Sequence, residues 1–215
     1  MESIADILDL DRFPLDDYTS SARTALVNGC REDLAVRGLF NLNGFVRPRA
    51  LAQCLAEVIP VREKNAFTHK RRHNVYFKDV VEGIPPDHPA LATVETINHT
   101  VCADQIADSV VCRIYEWPSL ARFLADVMEK PVLHTMPDPL ARLNVIAYGK
   151  GEALNWHFDR SEFTTTLLLQ EPESGGEFQY RSDLRTINDP NYDGVARLLS
   201  DDDQQVQALP VKAGT

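Results

Sequence analysis

The sequence predicts an α+β fold: a mainly helical flank over residues 1–130, then a strand-rich core over 131–215, within one domain of 215 residues. Two observations predict it. Proline-initiated segments with helical spacing of apolar residues fill the first half, and short β-prone runs punctuated by glycine fill the second. That order suggests an antiparallel sheet or barrel flanked by helices. The length suffices for one sizeable core.

Asp17 to Val36 carries scattered helical periodicity. Arg49 to Val58 follows Pro48, which suits a helix start, and Pro60 is expected to close it. Asn74 to Val81, NVYFKDVV, is β-branched and aromatic and reads as a strand. IPPDHP breaks the pattern, and Ala90 to Ser109 reads as a further helix whose Thr and Val content weakens it. Trp117 to Met128 is a stronger helix, with Pro118 in its first turn. Arg142 to Tyr148, RLNVIAY, reads as a strand ended by Gly149 and Gly151. Asn155 to Asp159 reads as short and extended, and Phe163 to Gln170, FTTTLLLQ, as strongly β-prone. Gly175 to Tyr180 is a strand after a Gly-Gly turn, Asn191 to Leu199 a short helix, and Val206 to Val211 a last strand. There is no internal repeat.

Composition narrows the function. The apolar share is 44% and no run of eighteen apolar residues occurs, so a membrane span is not expected. The acidic N-terminus, MESIADILDLDRF, lacks the layout of a secretory signal. Cys30, Cys54, Cys102 and Cys112 form no CxxC, which argues against a cysteine-built zinc site and fits buried free thiols in a cytoplasmic setting. A net charge of −10 disfavours a nucleic-acid partner. His69-Lys70-Arg71-Arg72-His73 is a basic island in this acidic chain. It reads as a solvated turn, or as a holder of a small carboxylate or phosphate.

One polar spacing stands out, His157-x-Asp159. Six histidines and 32 acidic residues would produce about one such pair by chance, and one occurs, so the spacing alone says nothing. Its context says more. In an extended segment, side chains two apart share a face and can converge on one ion. An imidazole with a carboxylate suits non-haem Fe(II), held by two histidines and one carboxylate. Strand parity puts Arg142, Asn144 and Tyr148 on one face and Leu143, Val145 and Ala147 on the other. A polar lining is what a ligand cavity needs.

The joint pattern Asn144-x-x-x-Tyr148-x-x-Gly151, His157-x-Asp159, a β run, then Gly175-Gly176-Glu177-Phe178 resembles the core of Fe(II)/2-oxoglutarate-dependent oxygenases. HFDRSEFTTTLLLQ and GGEFQYRSDLR resemble the subgroup of free-amino-acid halogenases and their hydroxylase relatives. The resemblance covers Arg142 to Thr215 and implies a double-stranded β-helix, or jelly roll, with iron at one mouth. It implies that His157 and Asp159 are metal ligands and that 2-oxoglutarate and dioxygen complete the chemistry. Tyr148 resembles the tyrosine that binds the far carboxylate of 2-oxoglutarate, and Asn144 and Thr166 are further cofactor-binding candidates. Halogenating relatives carry a small residue where Asp159 stands, so the resemblance implies hydroxylation of an unactivated C–H bond of a small polar substrate, such as a free amino acid. A halogenase and a non-catalytic jelly-roll binding module are the alternatives.

The family also uses a second histidine, and an Arg or Lys for 2-oxoglutarate, both after the Gly-Gly strand. No histidine follows His157, and the sequence stops at LPVKAGT. The expectation is therefore a fragment lacking its last strands, with the third ligand beyond Thr215, or less readily a natural short form. His134 is the least implausible substitute ligand, with surface or core packing preferred. Arg72, His73, Arg142 and Trp156 are the substrate-binding candidates. For Arg142 a structural ion pair is equally plausible, and for Trp156 packing is the plainer role. Thr164 shares a strand face with Thr166 and could line the same pocket. Asp201 to Asp203 reads as a solvated loop.

Overall fold

A computed structural model describes residues 2–215. It is a mixed α+β structure with six α-helices and two small antiparallel sheets. Ser20 caps α2 (Ser21–Arg37) through its hydroxyl, and Gly38, at φ 76°, ends it in the left-handed conformation that glycine adopts without a Cβ penalty. Helix α1 is the single turn Ile4–Ile7. Helix α3 spans Pro48–Asn65 and therefore runs through Pro60. The amide that Pro60 lacks would have bonded the Ala56 carbonyl. The helix continues because its far end is held: Val61 packs on the core, and Gln105 donates to the Asn65 carbonyl at 3.0 Å.

The larger sheet has the order β1-β2-β3, formed by Phe67–His73, Val94–Cys102 and Asn144–Ala147. Two of its strands thus come from the half expected to be helical. The basic island is β1, an edge strand, where Lys and Arg side chains reach solvent and deter further pairing. NVYFKDVV, expected as a strand, is a turn. The Asn74 carboxamide accepts from the amides of Tyr76 and Lys78 and bends the chain there. The expected helix over Ala90 to Ser109 is instead a 3-10 turn, strand β2 and a second 3-10 turn, because VETINHTVC is rich in β-branched residues, with Val94, Thr96 and Thr100 on one strand face and Ile97 and Val101 on the other.

Helices α4 (Val110–Tyr115) and α5 (Pro118–Val127) follow. The second sheet pairs β4 (Phe178–Tyr180) with β5 (Gln207–Leu209), and α6 (Tyr192–Leu199) lies between them in sequence. FTTTLLLQ joins no sheet, although Leu168 exchanges backbone hydrogen bonds with Gly214 and Thr215 at 2.7 and 3.0 Å. Among the described residues the sheets do not close into a barrel.

Two apolar clusters organise the packing. The larger joins α1, α2, α3, α4 and α5 with Val101 of β2. The smaller gathers Val75, Tyr76, Ala90, Leu91, Leu184, Val195 and Leu198. All four cysteines are free, with Cys30, Cys54 and Cys112 buried. Among the described residues no helix is long and apolar enough to cross a membrane.

Candidate metal centre and its surroundings

Asn155 to Asp159 forms no ladder, but it alternates as a strand would. Trp156 and Phe158 pack against the smaller apolar cluster, and the Phe158 amide donates to the Val75 carbonyl at 3.2 Å. His157 and Asp159 lie at the alternate positions, where they meet each other. The segment is tied to β2 by Asn155, whose amide group donates to the Glu95 carbonyl at 3.0 Å and to Thr96 Oγ1 at 3.2 Å.

The hydrogen bonds of His157 select its tautomer. Nδ1 lies 2.8 Å from the Asn155 carbonyl oxygen, which can only accept, so Nδ1 carries the proton. In the neutral ring the Nε2 lone pair is then free. Nε2 lies 3.1 Å from Asp159 Oδ1, and the Thr164 hydroxyl donates to the other oxygen, Oδ2, at 2.9 Å. A lone pair and a carboxylate oxygen at this separation need a proton or a cation between them. Two ligands at ordinary metal distances and a right angle lie about 3.0 Å apart, which matches. Each candidate ligand is also oriented through its second polar atom, as ligating histidines and carboxylates are in metal sites.

The register of the sheet decides which basic residues face this pair. Arg71 is opposite Thr96, Arg72 opposite Glu95, and His73 opposite Val94. Arg71 and His73 therefore share a face with Thr96, the residue that Asn155 contacts. Arg72 lies on the other face, where its Nε donates to Thr93 Oγ1 at 2.9 Å. His73 is buried, with Nδ1 3.0 Å from the Asn74 carbonyl and Nε2 2.9 Å from Thr96 Oγ1. Through Thr96 and Asn155 a chain of hydrogen bonds thus runs from His73 to His157.

Phe77 stands among these groups. His73 stacks on its ring at 4.6 Å, the His157 ring meets it edge-on at 6.2 Å, and the guanidinium carbons of Arg71 and Arg160 lie 4.8 and 4.9 Å from its centroid.

The remaining sequence candidates divide. Asn144 stands opposite Cys102, on the same face as Thr96, Asn98 and Thr100, so that face of the sheet is rich in polar groups. Tyr148 is exposed at the end of β3, and partial burial raises its phenol above the ordinary value. Thr166 is exposed, and it is Thr164 that contacts Asp159. Arg142 is not brought to the pair: it forms an ion pair with Glu116, at the end of α4. Trp156 is half-buried in the smaller cluster, and His134 is exposed on the segment after α5. Phe77 and Arg160 are not singled out by the sequence, and Arg71 only as a member of the basic island, where Arg72 and His73 are the named candidates. The signal for Arg71 over Arg72 was strand parity, which required knowing that the basic island is a strand.

Among the described residues no group of three or more His, Cys, Asp and Glu side chains is placed to hold a metal. No protein-family description, no curated protein and no solved structure matches the chain.

Proposed function

We propose that the chain is a non-haem Fe(II)/2-oxoglutarate-dependent oxygenase of the hydroxylase type, built on a jelly-roll core and acting on a small polar molecule such as a free amino acid. The observation that carries this reading is the 3.1 Å approach of His157 Nε2 to Asp159 Oδ1, with both side chains oriented from behind. His157 and Asp159 would hold the iron. When bound with 2-oxoglutarate and dioxygen, the metal supplies the oxidising chemistry that attacks a C–H bond. The Asn155 carbonyl keeps the His157 proton on Nδ1, so that Nε2 stays a ligand. Thr164 holds one carboxylate oxygen and leaves the other to the metal. By resemblance, Asp159 fills the position that halogenating relatives leave for chloride, which favours hydroxylation. The polar face of β1–β3, tied to the His157 segment through Asn155 and Thr96, supports a jelly-roll core, since such a core lines its cavity with one face of a sheet.

Two protein ligands hold Fe(II) weakly, and 2-oxoglutarate and an added imidazole can fill further positions. The test is an anaerobic titration of Fe(II) with 2-oxoglutarate, with and without imidazole, following the visible charge-transfer band of the chelate. The expected result is a weak band that imidazole strengthens, that His157→Ala abolishes and that Asp159→Ala shifts. No band in any condition would leave His157 and Asp159 as a plain hydrogen-bonded pair and favour the non-catalytic binding module.

A further inference from the structure

We infer that Arg71 and Arg160, gathered on the ring of Phe77, form a carboxylate-binding clamp beside His157. Three observations carry it. First, the two guanidinium groups share one aromatic ring, at 4.8 and 4.9 Å, in a chain of net charge −10. Among the described residues, the neighbouring Lys70 is paired with Glu95 at 3.0 Å, while neither Arg71 nor Arg160 has a carboxylate partner. An anion beside two like charges that share one ring would relieve their mutual repulsion. Cation–π contact fixes both planes while leaving their N–H edges to bond elsewhere.

Second, Phe77 is held in a conformation it would not choose. Its φ is 54°, in the left-handed region, where a bulky residue is an outlier. The turn is clamped from below by Asn74, which accepts from the Tyr76 and Lys78 amides and donates to the Lys78 carbonyl. Strain of this kind persists where the surroundings impose it, and such positions cluster at ligand sites. Here it places the ring between Arg71, Arg160, His73 and His157.

Third, Arg71 comes from the polar face of the sheet. Arg71 lies on the sheet face of Thr96, Asn98 and Thr100, and Asn98 is buried there with its carbonyl oxygen taken by the Thr100 hydroxyl at 2.9 Å. Two guanidiniums on one ring, with their N–H edges unpaired by carboxylates, suit a planar carboxylate, which each can engage through two parallel N–H donors.

The clamp stands on its own geometry, but its use in turnover rests on the iron reading. The carboxylate could be the distal one of 2-oxoglutarate or one carried by the substrate. The first probe is glutarate, a dicarboxylate without the keto group, titrated into the metal-free protein by calorimetry. Saturable binding is expected, weakened at least tenfold by Arg71→Gln and by Arg160→Gln and unchanged by Arg72→Gln, on the opposite face. No saturable binding, or equal weakening by Arg72→Gln, overturns the clamp. Both substituted arginines are exposed, so the fold is not at stake. The second arm repeats the Fe(II)/2-oxoglutarate titration. If the clamp holds the co-substrate, both Gln variants weaken it tenfold. If it holds the substrate, the titration is unchanged, and glutamate perturbs the band in the parent protein but not in the variants. Glutarate binding without any band rejects the iron reading and keeps the clamp, whereas a band without glutarate binding does the reverse.

Discussion

Thr164 is a small test of how far the candidate centre is built in advance. Its hydroxyl donates to Asp159 Oδ2 at 2.9 Å, and Thr164 is exposed, so replacing it does not open the core. Groups that orient a ligand typically matter by about 10–100-fold in metal affinity. Thr164→Val is expected to weaken Fe(II) binding about tenfold in the charge-transfer titration, with an unchanged circular dichroism spectrum. Unchanged affinity would mean that Asp159 is oriented by something else. The cysteines give a second residue-scale expectation. Burial pushes the Cys30 thiol up to about 11 and Cys54 to about 12, far from the thiolate that reacts. Cys112 is also buried, whereas Cys102 is partly exposed. A disulfide reagent should therefore modify Cys102 first in the native protein and the other three only on unfolding. Early labelling of Cys54 would contradict the packing of α3.

At the scale of elements, α5 shows what a sequence makes legible. The proline start and apolar spacing of WPSLARFLADVM predict a helix, and α5 forms at Pro118–Val127 with Phe123 fully buried. Phe123→Ala is expected to destabilise the fold by about 3–5 kcal/mol in urea unfolding, and less than about 1 kcal/mol would mean that the cavity collapses. Local pattern sufficed there because one helix face meets one core. It failed where pairing decides. FTHKRRH has no apolar alternation, yet it is a strand because VETINHTVC lies beside it. NVYFKDVV is rich in β-prone residues, yet Asn74 bends it into a turn. The same limit governed the site. His157 and Asp159 are close in sequence, so their convergence could be read from parity. Arg71 and Arg160 are far apart in sequence and reach the Phe77 ring only through a register and a turn that sequence alone did not reveal.

At the scale of the whole molecule, the response to acid tests how the helices are joined. Arg23, buried in α2, donates to Asp126 of α5 at 2.6 Å and to the Leu15 carbonyl at 2.9 Å, while Arg122 reaches Asp126 at 3.0 Å. Burial alone would raise the Asp126 carboxyl, but the hydrogen bond from Arg23 and the charge of Arg122 outweigh it and hold the carboxyl below its ordinary value. Asp203 is lowered by the Gln205 amide, Glu171 by Lys212, Glu152 by the Gly149 amide and Asp6 by Ser3. Each of these groups binds its proton more readily in the unfolded chain. Their stabilisation is complete above the unfolded carboxylate values, near about pH 4, and is lost as pH falls through the lower folded ones. Protonation also leaves 22 Lys and Arg and six His unopposed, which adds repulsion. Urea unfolding should therefore give a stability plateau from neutrality to about pH 5 and a steep fall below about pH 4. Arg23→Gln should lower the plateau by roughly 1.5–3 kcal/mol, the usual range for hydrogen bonds to a charged group. It should also flatten the acid limb, because Asp126 then keeps only Arg122. Lys212→Gln removes an exposed pair and should leave the urea midpoint nearly unchanged. An acid limb equally steep in Arg23→Gln would place the acid sensitivity outside the α2–α5 contact, in the surface carboxylates.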